Sequence, residues 1–295
     1  MLPGLNVGHA HCRQARTGVT VLLPERPVVM AADVRGGGPG TRETDALEPS
    51  TLVERVHGLV LAGGSVFGLE AASEVALRLA RSGSGLAVAS GLFVPVVPAA
   101  ILFDLANGGD KSWAKAGGGA PPYRRLAGEA FEAAGSDPAE GRVGAGYGAT
   151  AGSRLGGVAI ARATLDGGGR VAALVAVNCF GEVELDGPPS AGPVPMPKRP
   201  LSGASTCIGA VATDLPLTRP AAKRLAMMAH DGLARTIRPI HTPFDGDSLF
   251  AIGLAEETPA RVDPLLLAEL GTRAADCVAN AVRRVITLCN PANLR

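Results

Sequence analysis

Apolar residues along this chain fall into two kinds of run, short ones rich in β-branched side chains and longer alanine-rich ones with helical spacing. Eight short runs predict strands: Gly18 to Leu23, Val28 to Val34, Val56 to Leu61, Leu86 to Ala89, Val158 to Ala163, Val171 to Val177, Ile208 to Ala212 and Leu249 to Leu254. The longer runs, Ser65 to Arg81, Leu126 to Ala134, Pro220 to Arg235 and Pro264 to Leu288, predict helices whose alanines allow close packing on a sheet. The third is the best marked, with Thr218 placed to cap it and Pro220 in its first turn. The apolar runs Thr236 to His241 and Leu249 to Leu254 flank an Asp245-Gly246 pair, which reads as a hairpin turn. With 40 glycines and 23 prolines the loops are many, and the stretch from 186 to 203 is the best candidate for a long surface excursion.

Composition narrows the classes. A hydrophobic share of 46% is ample for a buried core, and 28 basic against 27 acidic residues leave a net charge of +1, without the footprint of a nucleic-acid or anionic-membrane binder. The longest apolar run, Gly91 to Phe103, is interrupted by Pro95 and Pro98 and is too short to span a bilayer. The first residues carry no basic and apolar leader, so no secretory signal is expected. Five widely spaced cysteines argue for reduced thiols in a cytoplasm, and no metal-ligand spacing stands out among them.

Three segments compete for the chemistry. In HTPFDGDSLFAIG, Ser248 follows an Asp-Gly-Asp turn and heads an apolar run. If the bond before it breaks, Ser248 carries both a hydroxyl nucleophile and, in its α-amine, a general base with a pKa of about 7.7 to 8.0. An Asp-Gly turn ending in serine is more often only a turn, and a calcium loop is a weaker reading still because Leu249 stands where the third ligand belongs. Gly63 to Gly68 has the strand, turn and helix of a nucleophile elbow with Ser65 at the tip, but Phe67 occupies the required glycine position, and Ser65 is as easily a helix cap. Gly144 to Gly152 fits a dinucleotide fingerprint with Asp166 downstream, yet no convincing strand precedes it. Gly144 and Gly146 more simply let backbone approach backbone or a substrate. Asn178 closes the strand before Cys179, as a turn residue or as an amide donor to a developing oxyanion.

Seven blocks in order resemble the P1-type peptidases, the group of L-aminopeptidase/D-esterases, β-aminopeptidases and nylon-oligomer hydrolases. They are DVRGGGPGTRETD (33–45), LVERVHGLVLAGGSVFGLEAA (52–72), VPAAILFDL (97–105), VGAGYGATAG (143–152), VAVNCFG (175–181), the long block 211–251 that ends in FDGDSLFA, and TRAADCVANAV (272–282). The resemblance implies an α+β fold, an αββα sandwich of the ornithine-acetyltransferase type, related to the N-terminal nucleophile hydrolases. It implies self-cleavage between Asp247 and Ser248, giving chains 1–247 and 248–295 that stay together as one folded domain. It further implies an aminopeptidase or amidase without a cofactor, with Ser248 as nucleophile and Asn178 as oxyanion donor. The loops of Gly64, Ser65, Phe103, Gly144 and Gly146 would line substrate or oxyanion, and Asp245 and Asp247 would support the turn. The expected partners are a small peptide or linear amide, nylon-type oligomers among them, and further copies in a homotetramer. An acyltransferase and a non-catalytic binding protein on the same scaffold are the alternatives.

Three positions depart from the family pattern. Leu155 stands where relatives often carry a lysine that helps activate the nucleophile, leaving neighbouring Arg154 as a possible source of positive charge but a poor base. Phe103 replaces a tyrosine, and Ser248 stands where many short relatives have threonine, losing the methyl that stiffens χ1. Asp276 in the last helix is a candidate to face the new N-terminus and orient its amine.

Overall fold

Successive residues of a strand point to opposite faces of its sheet. In the computed structural model, which describes residues 1–187, 194, 205–256 and 262–291, that alternation sorts the core into three layers. One sheet has the order β1 (Leu5–Cys12), β2 (Thr17–Pro24), β5 (Leu59–Ala62), β8 (Ala99–Ile101), β4 (Thr41–Arg42). The other has the order β11 (Gly157–Thr164), β12 (Arg170–Val177), β14 (Ile208–Thr213), β16 (Ser248–Gly253), β3 (Val29–Val34). Leu22, Leu59, Leu61, Leu174, Ile208, Phe250 and Ile252 meet between the sheets. Val21, Val60 and Ala62 turn outward onto helices α1 (Glu70–Arg81) and α2 (Tyr123–Glu132). Val175, Val211, Leu249 and Ala251 turn outward onto α3 (Arg219–Ala234) and α4 (Pro264–Cys289). This is the αββα sandwich. Small two-stranded pieces, β6 (Leu86–Ala89) with β7 (Leu92–Val94), β9 (Thr150–Ala151) with β10 (Arg154–Leu155), and β13 (Glu182–Val183) with β15 (Ile237–Arg238), complete it.

The hairpin expectation is corrected. Ser248 to Gly253 pairs in parallel with β14 and antiparallel with β3, whereas Ile237–Arg238 pairs with β13. A run buried at all six positions belongs in the middle of a doubly covered sheet, where it has a neighbour on each side. Nor does the Asp245-Gly246 pair take positive φ; His241 does, at 56°. Thr218 caps α3 as expected, accepting the amide of Ala221 at 3.3 Å. Strands β1 and β8 escaped the pattern, as did the short β4, β7, β9, β10 and β13, and Val56 forms only an isolated bridge with Val28. Apart from Val194, the expected excursion lies outside the described residues from 188 onward.

Candidate active site

Strands β12 and β3 end, and β14 and β16 begin, at one end of the second sheet, because β12 and β3 run antiparallel to their neighbours. Ser248 shares its face with Phe250 and Ile252, so its side chain points between the sheets, and it is fully buried. Its Oγ donates to the Gly246 carbonyl at 2.9 Å and its amide to the Cys207 carbonyl at 3.0 Å.

The carbonyl immediately before it is held by the loop that follows β3. Asp247 O accepts the amide of Arg35 at 2.9 Å and, at longer range, that of Gly36 at 3.4 Å. Only glycine permits this approach: a Cβ on residue 36 would lie 2.3 Å from the Asp245 carbonyl oxygen and 2.5 Å from the Asp247 nitrogen. Two donors on one carbonyl oxygen form the arrangement that stabilises an oxyanion. The Arg35–Gly36 amides escaped sequence reasoning. Their signal was the glycine run 36 to 38, whose purpose shows only against the opposing turn.

The Asp247 side chain has the other parity and faces the helices. Its Oδ1 accepts the Cys207 amide at 2.7 Å and its Oδ2 accepts His241 Nδ1 at 2.7 Å. Asp245, fully buried, accepts the amide and hydroxyl of Thr242 at 2.7 Å each, and burial together with the charge of Asp247 pushes its carboxyl up to about 6. Both acids therefore brace the turn that presents Ser248. Behind them His230 donates from Nε2 to the Asp33 carbonyl at 2.9 Å, and its burial pulls it down to about 4.

Asn178 continues β12 with the parity of Leu174 and Ala176, so it too faces between the sheets. Its Oδ1 accepts the Thr150 amide at 2.9 Å and its Nδ2 donates to the Phe103 carbonyl at 3.0 Å, which fixes the orientation of the amide from both sides. An NH₂ group has two hydrogens, and the second remains to meet a developing negative charge. Across the sheet, Thr206 stands between Asn178 and Gly246, donating its amide to the Asn178 carbonyl and accepting that of Gly246 on Oγ1 at 3.1 Å. Phe103 thus contributes its backbone carbonyl. Ser65 joins through its amide on the Leu102 carbonyl at 3.0 Å. It makes no side-chain cap and has a φ of 53°, with Gly64 at 84° before it held by Asp104 Oδ1 at 2.8 Å.

The remaining candidates separate from this centre. Gly144 and Gly146 form a 3₁₀ turn packed into the core, where a Cβ would overlap Thr20 or the Gly157 backbone. That is the close-backbone use, and no strand and helix flank the turn as a dinucleotide site demands. Arg154 donates to the Val183 carbonyl at 3.1 Å. Asp276 does not face Ser248: it pairs with Arg235 at 2.9 Å, half-exposed on the helical layer, with the second sheet between it and the serine hydroxyl. Helical periodicity carries it outward, not toward the strand. Among the described residues no group of three or more histidine, cysteine or acidic side chains could hold a metal.

The model of peptidase family S58 matches residues 2–293. The chain belongs to peptidase family S58. An uncharacterized aminopeptidase of Mycobacterium tuberculosis is 42% identical over 297 residues, covering 90% of this chain and 84% of its own. A 6-aminohexanoate-oligomer endohydrolase of a Kocuria species is 28% identical, covering 85% and 73%. Among solved structures, a Burkholderia β-aminopeptidase superposes with a TM-score of 0.74 at 22% identity, covering 96% of this chain and 84% of its own. The L-aminopeptidase D-Ala-esterase/amidase of Ochrobactrum anthropi, a variant of the N-terminal nucleophile hydrolase fold, superposes at 0.71 and 24%, covering 98% and 85%. As an S58 member the chain is a hydrolase of the aminopeptidase and amidase type.

Proposed function

We propose that this S58 chain cuts itself between Asp247 and Ser248 and then acts, through the new N-terminal serine, as an aminopeptidase on small peptides or related linear amides. In the first step Ser248 Oγ bonds to the Asp247 carbonyl carbon, the C–N bond breaks, and the hydroxyl proton passes to the departing amine. Water then cleaves the resulting ester, leaving a carboxylate on Asp247 and restoring the hydroxyl. In turnover the free amine of Ser248 takes the hydroxyl proton and returns it to the leaving amine, while Asn178 supports the oxyanion.

The observation that carries this reading is the pair of amides on Asp247 O, the carbonyl next to Ser248, which lowers the energy of a tetrahedral adduct there. Mass spectrometry tests it. Mature protein should contain a chain beginning Ser-Leu-Phe-Ala of about 5 kDa, the share of 29.7 kDa that falls to residues 248–295. Ser248→Ala should stay full length and inactive, and a cleaved Ser248→Ala chain defeats the mechanism.

The named activities of the relatives support two substrate classes, N-terminal residues of peptides and 6-aminohexanoate oligomers, which a panel of both separates. The hairpin β6–β7 exposes Leu86, Val88, Leu92 and Val94, an uncharged apolar arm that supports association of copies, with a tetramer expected from light scattering. All five cysteines are unpaired and four are buried, which fits a reducing cytoplasm.

A further inference from the structure

A cleft of about 360 Å³ is lined by Arg13, Arg16, Arg142, Tyr147, Thr150 and Leu155 among others, and no carboxylate lines it. Several arginines elsewhere on the surface are neutralised by acids. Arg170 pairs with Asp214, Arg235 with Asp276, Arg273 with Asp166 and Arg284 with Glu140. Arg13, Arg16 and Arg142 form no ion pair among the described residues, although the chain as a whole is almost neutral.

Two of the three are held in place by neutral groups. Arg16 donates to the Asn107 carbonyl at 2.9 Å, and the Asn107 side chain donates back to the Arg16 carbonyl at 2.6 Å. Arg142 donates to the Tyr147 carbonyl at 2.9 Å and lies 5.7 Å from the centre of the Tyr147 ring. Such anchoring fixes a guanidinium without neutralising it, so its charge and remaining donors stay available to a planar anion.

The cleft is coupled to the reaction centre through Thr150, whose amide holds Asn178 Oδ1 at 2.9 Å. Thr150 therefore lines the cleft and holds Asn178 at once, which sets the arginines next to the amide that supports the oxyanion in the proposed mechanism. We infer that the cleft of Arg13, Arg16 and Arg142 binds a carboxylate on the leaving side of the substrate, so that the preferred substrates are short peptides with a free C-terminal carboxylate or an acidic residue next to the scissile bond. This rests on the proposed amide hydrolysis. In a short peptide the amine occupies the acyl side, so the free carboxylate lies on the leaving side, the side this inference gives to the arginines.

The test compares L-Ala-L-Ala with L-Ala-L-Ala-amide, and L-Ala-L-Glu-amide with L-Ala-L-Gln-amide, on wild-type protein and on Arg13→Gln and Arg13→Gln/Arg142→Gln variants whose melting curves confirm the fold. The double variant should raise KM at least tenfold for a carboxylate substrate, change kcat less than about twofold, and leave the neutral amides within about twofold. Loss confined to the first pair assigns the terminal carboxylate, loss confined to the second the acidic side chain. Equal effects on charged and neutral substrates, or no effect, overturn the inference. If no substrate is hydrolysed by any of the proteins, the hydrolase mechanism fails instead. Calorimetric binding of L-Ala-L-Ala then decides the cleft: tighter binding than the amide, lost in the double variant, supports it, and equal binding refutes it.

Discussion

Replacing Gly36 by alanine should slow self-cleavage without touching Ser248. Gly36 does not occupy the left-handed region, so alanine is compatible with its backbone and the only obstacle is space. The new Cβ would lie 2.3 Å from Asp245 O and 2.5 Å from both Asp245 C and Asp247 N. Each of those atoms is backbone, so no side chain can swing aside. Ordinary contact requires about 3.4 Å, so the loop must withdraw by about 1 Å, lengthening the bonds from Arg35 and Gly36 to Asp247 O, now 2.9 and 3.4 Å. Loss of one such donor costs about 2.7 to 4 kcal/mol in other acyl-transfer enzymes, so cleavage should slow by about 10²- to 10³-fold. The assay follows the 248–295 fragment by mass spectrometry after synthesis, with a melting curve to verify folding, since overpacking alone costs about 1 to 3 kcal/mol. A folded Gly36→Ala chain that matures at the wild-type rate would show that these amides do not act on the scissile carbonyl.

Asn178→Ala should leave the 5 kDa fragment able to form yet reduce hydrolysis of a fixed peptide substrate by about 10²-fold or more, mostly in kcat, as expected for a donor to the oxyanion; unchanged kcat removes Asn178 from that role. Asp276→Ala should alter turnover less than about twofold and stability by less than about 1 kcal/mol, because its partner Arg235 is solvent-exposed; a large loss of activity would restore it to the site. Burial pulls His9 and His230 down to about 4, so below pH 6.5 the unfolded chain binds protons that the folded one resists. Their contribution to stability, complete above pH 6.5, is then lost toward pH 4 by at most about 1.4 kcal/mol per pH unit for each group. Asp104 and Asp245, raised to about 6 mainly by burial, act oppositely, favouring the fold below about pH 4 and losing that contribution as pH rises through 6. A His9→Gln/His230→Gln variant should therefore melt highest at a lower pH than wild type, and an unmoved optimum refutes the assignment.

Most regular elements could be read from the sequence because periodicity is local: alternation along β12 and β14, and the Thr218 cap of α3, need no knowledge of the rest of the chain. Ser248 and Asn178 stand out as candidates for the same reason, one heading an apolar run and the other closing one. Adjacency was not. The Asp-Gly turn looked like a hairpin until β3 and β14 were seen flanking β16, since a buried central strand takes its neighbours from distant segments. Asp276 looked available until α4 turned it to solvent. The decisive contact, the amides of Arg35 and Gly36 on Asp247 O, joins residues far apart in the chain. Sequence alone supplied the parity that aims each side chain and the glycines that allow close approach. Only the packing of two sheets determined which backbone those glycines would meet, because hydrogen-bond partners between strands are set by the global register and not by any segment's own pattern.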